Sequence, residues 1–188
     1  MSKVICIFGA SITWGAWDKE LGGWANRLRI YFDRQPDPQV RVYNLGISGD
    51  KTKDLLKRFD AEAKARKPDV IILAIGTNDS RHDTHPSGTP AKEFEKQYND
   101  LILKAKKFTN NVLIFAVTNV DDYNEKGYKN ESIEAVNGII QKLAKKQNLP
   151  FIDLFGILSI DEFEDGLHPN AKGHQKIFEK AKEALASL

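Results

Sequence analysis

The chain has 188 residues, enough for one domain with a full core and too few for two ordinary ones. Its charges nearly cancel, to a formal +2, and its lysines are spread along amphipathic helices, which points to a solvated surface and away from a nucleic-acid partner. The single cysteine excludes a disulfide framework and a cysteine-based zinc site, and no apolar run reaches the roughly 20 residues of a membrane helix; with no signal-peptide pattern at the start, the expectation is a soluble, cytoplasmic protein without a membrane partner.

Val4, Ile5, Cys6, Ile7 and Phe8 make an apolar run typical of a strand covered on both faces, with Cys6 as a buried apolar residue. Gly9 and Gly15 bracket a sharp turn that delivers Ser11 to the carboxyl end of that strand, where open parallel sheets collect ligands and catalytic groups. That position suits a nucleophile, and equally a turn-forming or capping serine. Trp24, Leu28, Tyr31 and Phe32 share one helix face, ended by Pro36 and Pro38, with Trp24 facing the core. Residues 40–45 form a second strand that runs into Gly46-Ile47-Ser48-Gly49-Asp50, and Leu55, Leu56, Phe59 and Ala63 mark the next helix. Residues 70–75 are apolar without alternation, which predicts a central strand; its loop is Gly76-Thr77-Asn78-Asp79-Ser80, followed by an irregular stretch over 81–90. Phe94, Tyr98, Leu101, Ile102 and Ala105 continue as a helix, residues 112–117 as a fourth strand, and Ile133, Val136, Ile139, Ile140 and Leu143 as a further helix. A short last strand covers 151–154, and Asp165-Gly166-Leu167-His168-Pro169-Asn170 leads into a helix containing Ile177, Phe178, Ala181 and Leu185.

Strand and helix alternate throughout, without repeat or linker, so the pattern predicts one domain over 1–188. Its class is α/β, a three-layer α/β/α sandwich around a five-stranded parallel sheet. The loops after the strands then open on one edge and bring Ser11, Gly46, Asn78, Asp165 and His168 together from distant parts of the chain.

A serine hydroxyl needs a base, and histidine suits that task near neutral pH. His168 has a carboxylate, Asp165, three residues earlier; in a helical or 3₁₀-like turn Asp165 would bond one ring nitrogen while the other faced Ser11. Pro169 favours that arrangement and frees Asn170 to cap the last helix. The plainer alternative is a turn at Asp165 and Gly166 with His168 on the surface. Donors for an oxyanion are available from the Ser11 amide, the Gly46 N–H and the Asn78 side chain, although Gly and Asn are also common turn residues.

Ser48 partly mimics a G-x-S-x-G elbow, but Asp50 stands at the fifth position, and it is read as ordering its loop. His82, Asp83 and His85 lie where no helix fixes a ligand geometry; they read as a rim, and no metal or cofactor is expected. Asp79, Asp121 and Asp153 also fall near the active edge, as alternative orienters or substrate contacts, or as turn and cap residues. Trp14 and Trp17 offer an apolar or sugar-stacking wall beside Ser11.

Gly9-Ala10-Ser11-Ile12-Thr13, Asn44-Leu45-Gly46-Ile47-Ser48-Gly49-Asp50, Gly76-Thr77-Asn78-Asp79 and Asp165-Gly166-Leu167-His168-Pro169 resemble, in order and context, the four sequence blocks of the SGNH or GDSL hydrolases. The resemblance covers nearly the whole chain. It implies a flavodoxin-like sandwich and a metal-free hydrolase of esters or thioesters. Ser11 would be nucleophile and oxyanion donor, Gly46 and Asn78 the other donors, His168 the base and Asp165 its orienter. One position departs from the pattern: Ala10 stands where the family usually has an aspartate. That aspartate is not the triad acid, so the base machinery is expected to survive its loss.

Short polar loops with tryptophans favour a small acyl group, such as acetyl on a carbohydrate, over a long lipid. The competing readings are a non-catalytic flavodoxin-like domain that binds a nucleotide or phosphate at the 9–15 loop, and a non-catalytic carbohydrate-binding relative. That loop lacks both the Gly-Lys-Ser/Thr ending of a P-loop and the spacing of a dinucleotide site.

Overall fold

In the computed structural model, which describes residues 3–36, 39–81 and 88–186, β1 (Lys3–Gly9) lies between β2 (Val40–Gly46) and β3 (Val70–Ala74). Beyond β3 come β4 (Val112–Phe115) and β5 (Phe151–Ile152), giving the order β2-β1-β3-β4-β5 with every neighbouring pair parallel. The helices are α1 (Ser11–Trp14), α2 (Trp24–Asp33), α3 (Thr52–Arg66), α4 (Ala91–Ala105), α5 (Asn130–Lys146) and α6 (Ala171–Ala186), with a 3₁₀ turn at Ile160–Glu162.

The uninterrupted apolar strands follow from burial on two sides. Cys6, Phe8, Ile71, Leu73 and Ile114 face one core with Leu55 and Phe59 of α3, Tyr98 and Leu101 of α4, and Ile133 and Ile140 of α5. Ile5, Ile7, Val70, Ile72, Leu113 and Phe115 face the other, with Trp24 and Leu28 of α2 and Ile177 and Phe178 of α6. Successive side chains on a strand point to opposite faces, so both faces must be apolar when helices cover both. Trp24 is buried as expected and stacks on Phe115 with ring centroids 5.5 Å apart. Cys6 is fully buried, and desolvation pushes its thiol up to about 12, so it serves as an inert core residue.

The chain leaves β1 for β2 on one side and returns to β3 on the other, so the β1–β3 boundary is the switch point at which ligands gather in such sheets. Gly9 pairs in register with both Gly46 and Ala74, which places the loops after β1, β2 and β3 side by side at one edge.

Several strand ends fall short of expectation. The fourth strand stops at Phe115 instead of 117, because Asn137 of α5 caps the ladder: its Oδ1 accepts the Val117 N–H at 2.8 Å and its Nδ2 donates to the Val117 carbonyl at 2.9 Å. The fifth ends at Ile152, where Asp153 turns the chain by accepting the Phe155 N–H at 2.9 Å. Pro38, His82, Asp83 and His85 lie outside the described residues. Among the described residues, no cluster of His, Cys, Asp and Glu side chains is arranged to hold a metal, and no helix is long and apolar enough to cross a membrane.

Candidate active site

Ser11 is the first residue of α1, immediately after β1, and its side chain is largely buried. This short helix begins on Ala10, which provides no side-chain cap. The helix is held from β2 at its other end. Asn44 Nδ2 donates to the Thr13 carbonyl at 2.9 Å and the Trp14 carbonyl at 3.3 Å, binding α1 to the neighbouring strand.

The Ser11 Oγ lies 3.0 Å from His168 Nε2, and His168 Nδ1 lies 2.9 Å from Asp165 Oδ2. Since an ionised carboxylate only accepts, Nδ1 carries the ring proton and Nε2 is left to accept from the serine hydroxyl. Residues 165–168 do not form the expected helical or 3₁₀-like turn. Instead Asp165 Oδ1 accepts the N–H of Leu167 at 3.1 Å and of His168 at 2.8 Å, with Gly166 in the left-handed region at φ 76°. This side-chain-closed turn aims the carboxylate and the imidazole at each other just as well. Asn170 caps α6 as expected, its Oδ1 accepting from Lys172 at 3.0 Å and Gly173 at 3.3 Å.

Burial opposes the charge on Asp165. The backbone N–H of His168, the His168 side chain and the Leu167 N–H outweigh it and hold the carboxyl well below the usual carboxylate range. Asp165 is therefore ionised wherever the imidazole works.

Asn78 is fixed at both ends of its amide. Nδ2 donates to the Asp50 carbonyl at 2.9 Å, and Oδ1 accepts from the Tyr128 hydroxyl at 2.8 Å. The 47–50 loop is in turn drawn onto β1. The Ile47 N–H reaches the Gly9 carbonyl at 3.2 Å, and Arg58 binds Asp50 Oδ2 at 2.8 Å while reaching the same carbonyl at 3.3 Å.

The placement of Gly46 differs from its expected role. Its N–H is already donated to Asn44 Oδ1 at 3.0 Å. Its lack of a side chain serves packing, because a Cβ there would lie 2.4 Å from the Trp14 nitrogen and 2.8 Å from the Ala10 carbonyl oxygen. In the same loop, Gly49 adopts φ 86°, and among the described residues its N–H and that of Ser11 have no hydrogen-bond partner. Ser48 is exposed and its hydroxyl bonds to none of the described residues; the turn from Ile47 to Asp50 orders the loop instead.

Asp79 is not an orienter of His168. It is buried, accepts from the Thr52 N–H and Oγ1 at 3.0 Å each and from Thr89 Oγ1 at 2.7 Å, and so joins the loop after β3 to the start of α3. Burial raises its pKa, against those donors. Asp121 accepts from the Tyr123 N–H at 2.9 Å and donates its own N–H to the Gly166 carbonyl at 2.8 Å, which supports the Asp165 turn. Trp14 and Trp17 are both about half exposed, at 53% and 48%. Sequence reasoning missed Asn44, Arg58 and Tyr128 as supports of the site. Asn44 and Gly49 stand inside a block already singled out, whereas Tyr128 carries no local signal.

A family model for the GDSL-like lipase/acylhydrolase family matches residues 7–176. The chain belongs to that family. It is a carboxylic ester hydrolase, and its α/β sandwich with a five-stranded parallel sheet is the family's fold. An acetylxylan esterase of Geobacillus stearothermophilus is 24% identical over 152 residues, 74% of this chain and 69% of that protein. An acetylxylan esterase of Xylanibacter ruminicola is 28% identical over 166 residues, 73% of this chain but only 34% of that protein. Among solved structures, the lipase/acylhydrolase of Enterococcus faecalis superposes with a TM-score of 0.84 at 25% identity, covering 97% of this chain and 95% of its own. The acetyl xylan esterase AlAXEase gives 0.80 at 29% identity, covering 97% and 99%.

Proposed function

We propose that the protein hydrolyses carboxylic esters through an acyl-enzyme on Ser11, with His168 as base, Asp165 as its orienter, and a small acyl group, acetyl on a carbohydrate, as the natural cargo. The observation that carries this reading is the unbroken chain from Ser11 Oγ to His168 Nε2 at 3.0 Å and from His168 Nδ1 to Asp165 Oδ2 at 2.9 Å. In the first half-reaction Ser11 Oγ bonds to the acyl carbon and its proton passes to His168 Nε2; collapse of the tetrahedral adduct breaks the bond to the leaving alcohol, which takes that proton. In the second half a water repeats the attack, His168 again takes and returns one proton, and the acid leaves with Ser11 restored. Asp165 stays ionised throughout and stabilises the transient imidazolium.

The oxyanion is assigned to the Ser11 N–H, the second hydrogen of Asn78 Nδ2 and the Gly49 N–H. Gly49 replaces Gly46 in this reading because the Gly46 N–H is taken by Asn44. The acetyl assignment draws support from the acetylxylan esterases among the relatives and from the exposed Trp14 at the end of the nucleophile helix, whose ring can cover a sugar face. A relative named thioesterase 1/protease 1/lysophospholipase L1, from Escherichia coli, makes thioesters the second class to assay.

Two measurements test the reading. A fluorophosphonate should label Ser11 in the intact protein, seen by mass spectrometry of the peptide, and a series of acetyl to decanoyl esters with acetylated xylo-oligosaccharides should show kcat/KM falling with chain length. An unlabelled Ser11 rejects the nucleophile, and a preference for decanoyl over acetyl rejects the small-acyl assignment.

A further inference from the structure

Trp17 makes a contact that a substrate wall does not require. Its indole Nε1–H donates to Asp165 Oδ2 at 3.2 Å, and its ring stands edge-on to the His168 imidazole, with centroids 5.9 Å apart and planes at 75°. The Lys126 ammonium lies 3.3 Å from the same oxygen, which also holds His168 Nδ1 at 2.9 Å. One carboxylate oxygen thus meets three donors, from the loop between α1 and α2, the loop after β4 and its own turn, while Oδ1 closes the turn itself.

The residues on either side of Trp17 are anchored in the protein interior. The Ala16 carbonyl accepts from His174 Nε2 at 2.9 Å, and Asp18 Oδ2 accepts from the Gly23 N–H at 3.0 Å and Arg27 Nε at 2.9 Å. A side chain on a surface loop is therefore presented from a rigid base, a requirement for a group that fixes another group's orientation.

We propose that Trp17 is a positioning residue of the triad acid and that Trp17 and Lys126, together with His168, form a three-donor clamp on Asp165 Oδ2 that sets how strongly the carboxylate supports the imidazolium. The inference rests on the triad reading of the preceding subsection. A second donor on the oxygen that holds His168 locks the carboxylate plane, and it draws negative charge away from the bond to the imidazole. The neutral indole chiefly does the first. The cationic ammonium also repels a proton arriving on His168. Near this turn Glu164 pairs with Lys19 and, behind the loop, Asp18 with Arg27 beside the neutral His174, while the Asp121 carboxylate accepts from the Tyr123 N–H. Among the described residues, Lys126 is the lysine or arginine whose charged nitrogen lies within 4.0 Å of Asp165.

The test is steady-state kinetics of the full chain on a short acetyl ester across pH, for Trp17→Phe, Lys126→Gln and Asp165→Asn. Phenylalanine keeps an aromatic ring, smaller than the indole, and removes the N–H, so Trp17→Phe should lower kcat about tenfold with KM changed less than about twofold. Lys126→Gln, on a half-exposed side chain, should move the acid limb of kcat/KM to higher pH by roughly half a unit at low ionic strength, with the difference fading in salt. An unchanged kcat with a raised KM in Trp17→Phe would make Trp17 a wall and overturn its part of the clamp; an unmoved acid limb in Lys126→Gln overturns the other. Thermal unfolding of each variant accompanies the assay. If Trp17→Phe fails to fold, the Lys126→Gln limb decides alone. Asp165→Asn separates the two layers of inference: full activity there removes the triad reading and the clamp with it, whereas an inactive Asp165→Asn beside fully active Trp17→Phe and Lys126→Gln removes the clamp only.

Discussion

Gly46 gives its N–H to the side chain of Asn44 at 3.0 Å, two residues back on the same strand. The same Asn44 holds the Thr13 and Trp14 carbonyls through Nδ2. One amide therefore occupies the Gly46 N–H and ties down the helix that begins at Ser11. Ala10 gives α1 no side-chain cap at its start, so this short helix is held from its other end.

Asn44 and Asn78 should consequently fail in different ways. Asn44→Ala removes three hydrogen bonds, two of them exposed to solvent, and should cost about 1 kcal/mol of stability. Asn78→Ala removes the donor assigned above to the oxyanion and should lower kcat roughly 10²–10³-fold with KM little changed. Urea unfolding and steady-state kinetics of both variants check this; an Asn78→Ala enzyme with wild-type kcat would take Asn78 out of the oxyanion site.

Ser11→Ala and His168→Ala should each reduce kcat by at least about 10³-fold, and the double variant should be little worse than either, because groups that act as a unit do not add. Ser11 and His168 are held in place mainly by the backbone around them, so melting temperatures should stay close to wild type. Multiplicative losses in the double variant would mean that the two side chains act in separate steps.

The sheet was legible because a strand buried on both faces must be apolar at every position, as 4–8 and 70–75 are. Strand ends were less so. The fourth strand stops where Asn137, on a helix 20 residues later, replaces the neighbouring strand as hydrogen-bond partner. The order of the candidate site residues along the chain could be read from their loops, but which N–H of the 46–50 loop is open depends on where the Asn44 side chain points, and no spacing reports that. Likewise, Trp17 meets Asp165 across 148 residues and Tyr128 meets Asn78 across 50, contacts that only the folded chain creates.

Tyr128 offers a finer test of the same donor. Its hydroxyl fixes the Asn78 amide by donating to Oδ1, so that Nδ2 is the end presented to Asp50 and the site. Tyr128→Phe lets the amide rotate at small cost in packing, and kcat should fall about tenfold with KM near wild type. A raised KM with kcat intact would place Tyr128 against the substrate instead.

His174 governs how the platform beneath Trp17 responds to acid. It is fully buried, with Nε2 donating to the Ala16 carbonyl at 2.9 Å and Nδ1 accepting the Trp24 N–H at 3.2 Å, a pair of bonds that only the neutral ring makes. Burial pushes its pKa below the ordinary value, and the Ala16 carbonyl only partly offsets this. As pH falls, the unfolded chain takes up this proton first, so the stability contributed by His174 is complete above about pH 6.5 and is lost below it, toward the lower folded value. Asp18 and Asp165, whose carboxyls are held below their ordinary range, add acid sensitivity only below about pH 4. Urea midpoints should thus drop between about pH 7.5 and 5.5 in the wild type. In His174→Gln the midpoint should be lower at pH 7.5, by about 1–3 kcal/mol of stability, and flatter over that range. Equal slopes in the two proteins would assign the acid sensitivity to another group.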